Sequence, residues 1–258
     1  MIMDKLTFRW WQLICAISVG NILLWSFAAW QLRLESDVYR YEQLILSGLF
    51  VAACAFRSFL PRVDLERMCL WDVPLSSIVV GRTVATVAEL CFTWQCMLLL
   101  FKLSALSGSS TISEIGLVVL PIIIVAELAC WFAVATLNHI WHAVEELLWS
   151  IMVGLMAAAL VLYWRHTSGA LPTLVPIGLV ACAGTVVLIL AVDIPLYIAR
   201  WRTGKRSGLR YLCVLEGLKD TVIRRRVTQR RDDWQNEVLW MSLYFSAGVW
   251  VSLSIIFV

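Results

Sequence analysis

Residues 115–164 read IGLVVLPIIIVAELACWFAVATLNHIWHAVEELLWSIMVGLMAAALVLYW. One helix crosses the ~30 Å hydrocarbon core with about 20 residues at 1.5 Å each, so this apolar run is more than twice the length of one span. Its only polar interruption is Asn138-His139-Ile140-Trp141-His142-Ala143-Val144-Glu145-Glu146. The chain must reverse there, which makes 115–137 and 144–164 two antiparallel spans.

Working outward, the segments 11–30, 43–59, 83–103, 174–199 and 238–258 have the same character. The expected fold is an all-α integral membrane protein, a bundle of about seven transmembrane helices in one polytopic domain over 1–258. Barrel strands would be ~10 residues long with strict alternation, and none is seen. Apolar residues make up 61% of the chain and charged residues 15%, against roughly 45–50% and ~25% in soluble domains. So much apolar surface cannot be hidden in a soluble fold of this size. A soluble enzyme, a disordered chain and a nucleic-acid-binding domain are excluded. The first segment is too long and too rich in Trp for a cleavable signal peptide, and no small-x-small site follows it.

Lys and Arg set the expected orientation. Only Arg33, Arg40, Lys102 and Arg165 fall on one set of faces; the other seventeen of the 21 basic residues fall opposite. The N-terminus is therefore expected in the cytoplasm and the C-terminus outside, in a bacterial inner (cytoplasmic) membrane. The cytoplasmic face is then basic and meets anionic lipid headgroups rather than nucleic acid. None of the eight cysteines lies in an outward loop and no C-x-x-C occurs. That argues against a disulfide framework and reads the thiols as small apolar fillers. No N-x-[ST] sequon occurs.

Two connections carry more than a turn. Residues 60–82 mix charge with apolar residues and read as a short interfacial helix broken before Pro74. Residues 200–236 are a basic cytoplasmic connector. In it Tyr211, Leu215, Leu218 and Val222 recur at helical spacing, which predicts an amphipathic helix against anionic inner-leaflet headgroups.

Acids inside a membrane are costly, face the bundle interior and mark function. Glu89 lies about 9 Å into the third span from its inner end. Glu127 lies near the midplane of the fourth. His139, His142, Glu145 and Glu146 sit at the inner reversal, Asp193 near the inner end of the sixth span, and Glu237 at the start of the seventh. The outer half offers no comparable set. The candidate catalytic residues are Glu89, Glu127, His142, Glu145 and Glu146, supported by Arg82, Asn138, Trp131, Trp149 and Asp193. Arg82 is expected to pair with a carboxylate on a neighbouring helix. A nearby Trp follows each of four acids (Glu89/Trp94, Glu127/Trp131, Glu145/Trp149, Glu237/Trp240), so aromatic faces beside acids would favour a bound cation.

Several functions fit this placement. An intramembrane acid–base enzyme acting on a lipid or isoprenoid would use a buried carboxylic acid and a second base. Glu145-Glu146-Leu147-Leu148-Trp149 resembles part of the P-x-E-E-x-x-F-F motif of membrane lycopene cyclase domains, which implies carboxylate chemistry at Glu145 and Glu146. Ala143 stands at the proline position, the aromatic pair is not reproduced, and the match covers eight residues. A metal enzyme would draw on His139, His142 and Glu145 or Glu146, plus Glu89 or Glu127. A transporter or permease subunit is the third reading. Arg57 through Arg82, with Leu65-Glu66-Arg67 and Pro74-Leu75-Ser76-Ser77, is similar to the cytoplasmic element by which some exporter permeases contact an ATPase. A structural, assembly or sensory role is the fourth, with polar residues only joining helices, alone or with a second copy or partner membrane subunit. No haem, retinal or nucleotide motif is present. There are three His in all, with His166 on the outer face, no Lys in 238–258, and no phosphate-binding glycine loop.

Overall fold

The computed structural model describes residues 3–35, 37–166 and 174–258. In chain order the elements are α1 (Lys5–Leu32), α2 (Val38–Phe59), β1 (Arg62–Val63), β2 (Met68–Cys69), α3 (Ile78–Ser107), α4 (Ser110–Thr136), α5 (His139–His166), α6 (Leu174–Leu188), α7 (Ile194–Arg206), α8 (Val214–Ile223), β3 (Arg226–Val227), α9 (Arg231–Trp234), α10 (Val238–Leu243) and α11 (Val249–Ile255). Among the described residues seven helices are long and apolar enough to cross a membrane: Lys5–Leu32, Val38–Phe59, Ile78–Ser107, Ser110–Thr136, His139–Arg165, Val175–Arg206 and Val238–Ile255. Each coincides with one expected segment. The chain is a multi-pass helical membrane protein.

Element ends follow local chemistry. Asp4 Oδ1 accepts from the Leu6 and Thr7 amides at 2.9 and 3.2 Å, so α1 starts well before the apolar run does. The sixth span continues past 199 to Arg206, through a π turn at Ile189–Asp193. That turn directly precedes Pro195, whose ring and missing N–H break a regular ladder, and the wider turn absorbs the break. The chain divides into two compact units, Met1–Gln95 with Leu218–Val258, and Cys96–Gly217.

In the first unit Trp10, Ile14, Phe50, Cys54, Trp234, Phe245 and Ile256 form the apolar core. At one end the chain builds a small sheet. β1 pairs antiparallel with β2 (Arg62↔Cys69, Val63↔Met68), and β2 pairs parallel with β3 (Met68↔Arg226, Cys69↔Val227). This corrects the interfacial helix expected over 60–82, where the described structure is a two-strand hairpin and a 3-10 turn at Pro74–Ser76. Pro61 and Pro74 bound a piece too short for a stable helix, and β3 supplies hydrogen-bond partners from more than 150 residues away. The hairpin turns at Arg67, a non-glycine residue with φ +52°. Its guanidinium holds that conformation by donating to Asp64 O and to Asp220 Oδ2, both at 2.8 Å.

Arg57, Arg62, Arg67 and Arg82 are all buried. The basic face expected to meet headgroups is therefore partly an internal scaffold. Arg62 donates to Leu60 O, to Leu75 O at 3.1 Å and to Ser77 O at 2.9 Å, and its guanidinium lies over the Phe56 ring. Burial, opposed by nearby Asp64, pushes its pKa down to about 10, so it stays protonated at neutral pH. Near β3, Thr228 donates to Asp233 Oδ2 at 2.5 Å, and the Trp234 indole donates to Thr228 O. That hydroxyl, and less so Arg226, holds the Asp233 carboxyl below its usual range.

At the far end of the same helices lies a polar network that contains no acid. Gln43 and Gln95 each donate their side-chain amide to the other's backbone carbonyl, at 3.0 and 3.2 Å. Ser252 donates to Gln95 Oε1 at 2.5 Å and stands 3.2 Å from Ser47 Oγ. Nearer the middle, Asn21 donates to Phe245 O in the π turn Tyr244–Gly248 and accepts from Trp250. These bonds join α2, α3 and α11, and α1 to the last span. Gln95→Leu removes one partner from each of several buried groups. A loss of about 1–3 kcal/mol is expected, measured as a lower thermal midpoint in detergent; an unchanged midpoint would show that the network only decorates the interface.

In the second unit α4 and α5 form an antiparallel hairpin. Leu137 takes the left-handed conformation (φ +58°) that ends α4, and both Leu137 and Asn138 return their amides to Ala133 O. Asn138 Oδ1 accepts from Ile140 N, which starts α5. Gly116 lets α4 approach α3 closely, since a β-carbon there would stand 2.9 Å from the Phe101 ring.

Candidate functional site

The reversal at Leu137–Asn138 sets two helix faces opposite each other. Equal steps from it reach Cys130 on α4 and Glu145 on α5. His142 stands three residues before Glu145, on the same face. The result is a compact cluster. His142 Nδ1 lies 2.5 Å from Glu145 Oε2 and 3.8 Å from Cys130 Sγ. Cys130 and Glu145 are buried, and the His142 side chain is 12% exposed. The Tyr197 ring of α7 stacks on His142, 4.9 Å between centroids and 25° between planes, and more distantly on His139. The imidazole is thus fixed from two directions. Glu127, three residues before Cys130, is buried with its carboxylate within 4.8 Å of that of Glu145.

The other candidates fall as follows. His139 is half-buried, and its Nδ1 has no hydrogen-bond partner among the described residues. Glu146 is half-buried and turned about 100° around α5 from Glu145. Asn138 serves as a helix start. Trp131, Trp149 and Asp193 are half-buried, the last in the π turn of the sixth span. Trp141 meets Phe132 edge-on at 5.0 Å. The side chain of His166 lies outside the described residues.

In the first unit Glu89 is buried and accepts from Arg82 Nη2 at 2.7 Å. Arg82 and Glu89 stand two turns apart on the same helix, so this pair is made within α3. The acid–Trp pattern also resolves. Trp240 donates to Glu237 Oε2 at 2.6 Å, while Trp94 is exposed. The cation over the Trp240 ring is the protein's own Arg57, at 5.8 Å.

Sequence reasoning missed Cys130 and Tyr197. Cys130 could have been found by counting back from the reversal, because antiparallel helices pair residues equidistant from their turn. Tyr197 carries no such signal, since it arrives from another helix. The chain matches no family model, no curated protein and no solved structure.

Proposed function

We propose that the chain is a permease-type membrane subunit driven by a separate ATPase, with the sheet-bearing end of its first unit facing the cytoplasm as the docking element. The observation that carries this reading is the construction of residues 60–77. A plain connector needs no buried guanidinium. Here Arg62 ties the carbonyls of Leu75 and Ser77 to that of Leu60 at the end of α2. Arg67–Asp220 and the β2–β3 pairing brace the same piece against the segment leading into the last span. The tip nevertheless presents apolar side chains outward, Val73 and Leu75, the latter 56% exposed. A rigid element with an apolar tip, tied to three spans, suits force transmission from a partner. Seventeen of 21 basic residues on this side of the chain support the orientation. The absence of a phosphate-binding loop in the sequence puts nucleotide hydrolysis on another chain. Exposed Leu215, Val222 and Ile223 on α8, with Lys219 and Arg224 nearby, suit contact with an anionic leaflet.

Tagged chain extracted from its native membrane in mild detergent is expected to bring down ATP-hydrolysing activity. Leu75→Asp is expected to reduce it at least about tenfold, a cost in line with burying a charge in an apolar contact, with unchanged yield and melting. No activity with the wild type, or equal activity with the variant, removes the reading.

The His142–Glu145 contact favours a second reading, an intramembrane acid–base enzyme. A carboxylate on Nδ1 orients the imidazole and leaves Nε2 to exchange a proton with a substrate. Incubation with native polar lipids is then expected to yield a product whose formation falls about 100-fold in Glu145→Gln. Lipids left unaltered by the wild type would sink it.

A further inference from the structure

We propose that Cys130, His142 and Glu145 form a binding site for a divalent cation of the zinc class. The donors are a thiol, an imidazole nitrogen and a carboxylate oxygen, all within 4.8 Å of one another. That mixed set selects a borderline-soft ion over magnesium or calcium, which prefer oxygen alone. The sequence pointed to His139, His142 and Glu145 or Glu146, with Glu89 or Glu127, a set without sulfur.

The geometry needs little change. Bonds of about 2.0–2.3 Å in a tetrahedron place a nitrogen about 3.5 Å from a thiolate sulfur and about 3.3 Å from a carboxylate oxygen. The present separations from His142 Nδ1 are 3.8 and 2.5 Å. The sulfur is nearly in place, and the carboxylate must retreat by under about 1 Å, a side-chain adjustment. His142 and Glu145 share one face of α5, Cys130 sits across the hairpin on α4, and stacked Tyr197 holds the imidazole plane. Two of the three donor residues are buried and the third nearly so. A thiolate and a carboxylate neutralise a divalent ion, so the loaded triad carries no net charge into the low-dielectric interior.

The protons balance. Loading releases the Cys130 thiol proton and the proton shared between His142 Nδ1 and Glu145 Oε2. Nδ1 becomes a lone-pair donor and Nε2 keeps its proton. Glu127, within 4.8 Å of Glu145, is the protein's own candidate for the fourth position. His139 lies one turn before His142, and its buried, unpartnered Nδ1 accepts a donor such as a hydrated cation.

The test uses the full chain in detergent, stripped with chelator and titrated with Co²⁺. One equivalent is expected to bind, with a sulfur-to-cobalt charge-transfer band and the intense visible bands of tetrahedral cobalt, all displaced by Zn²⁺. Cys130→Ser is expected to abolish the charge-transfer band, and Glu145→Gln to weaken binding at least about tenfold. Cys213→Ser, at an exposed thiol, is expected to leave the spectrum unchanged. Should Cys130→Ser not fold, the wild type still decides, because Zn²⁺ must raise its melting temperature at one equivalent. No stoichiometric binding by the wild type, a band that survives Cys130→Ser, or one lost in Cys213→Ser overturns the proposal. The cluster would then be a hydrogen-bonded clamp between α4 and α5.

Discussion

Any side chain at position 217, alanine included, is expected to stop the second unit from folding. Gly217 lies in α8, where a β-carbon would overlap the backbone carbonyl of Ala135 near the end of α4. Backbone cannot swing aside as a flexible side chain can. The approach is held by Leu212 N, which donates to Thr136 O at 3.2 Å. Helix α4 ends in carbonyls that need donors, and this bond satisfies one of them. Gly217→Ala must therefore push α8 away, break that bond and expose the end of α4. The expected cost is at least about 3 kcal/mol, in the range of severe overpacking. In practice Gly217→Ala is expected to show a large loss of monodisperse protein after detergent extraction. Gly154, with open space around its missing β-carbon, is the control, and Gly154→Ala should extract normally. Normal extraction and melting of Gly217→Ala would show that α8 does not rest on α4.

Arg62→Met is expected to release residues 60–77 as a unit. Methionine replaces most of the aliphatic volume but donates nothing, so the carbonyls of Leu60 and Leu75 lose the Arg62 donor and Ser77 O is left with the Gly81 amide alone. Each buried unsatisfied carbonyl costs about 1–3 kcal/mol, and relief from burying a charge offsets part of that. A net loss on the order of 3 kcal/mol remains. The first readout is proteolysis: cleavage within 60–77 should become rapid while the spans stay intact. Gly81→Ala is expected to act alike, because the Arg62 side chain crosses the α-carbon of Gly81 with no room for a methyl group. Two substitutions on different elements with one phenotype separate loss of the brace from a local defect. A protease-resistant connector in both would remove the brace, and with it the rigidity on which the permease reading depends.

Much of the molecule is legible in residue order. Span detection sums transfer free energies over about 20 neighbours, so 115–164 alone shows two spans and a reversal. The His142–Glu145 contact is equally local, because three residues on a helix always share a face. These properties depend on the bilayer and the 3.6-residue turn, not on the rest of the chain.

The tertiary structure decided what each polar residue is for. Composition marks Arg57, Arg62, Arg67 and Arg82 as inner-face charge, yet folding turns all four inward onto carbonyls, carboxylates and rings. The stretch 60–77 becomes strands because β3 lies beside it in space, although it is far away in sequence. Gln43 and Gln95, 52 residues apart, are unremarkable singly and form a network only where their helices touch. Cys130 changes from apolar filler to candidate ligand once the hairpin brings it to His142. The physical reason is common to all of them. Crossing a membrane is a property of a segment, whereas a hydrogen bond, an ion pair or a ligand set is a property of a meeting, and only packing arranges which side chains meet.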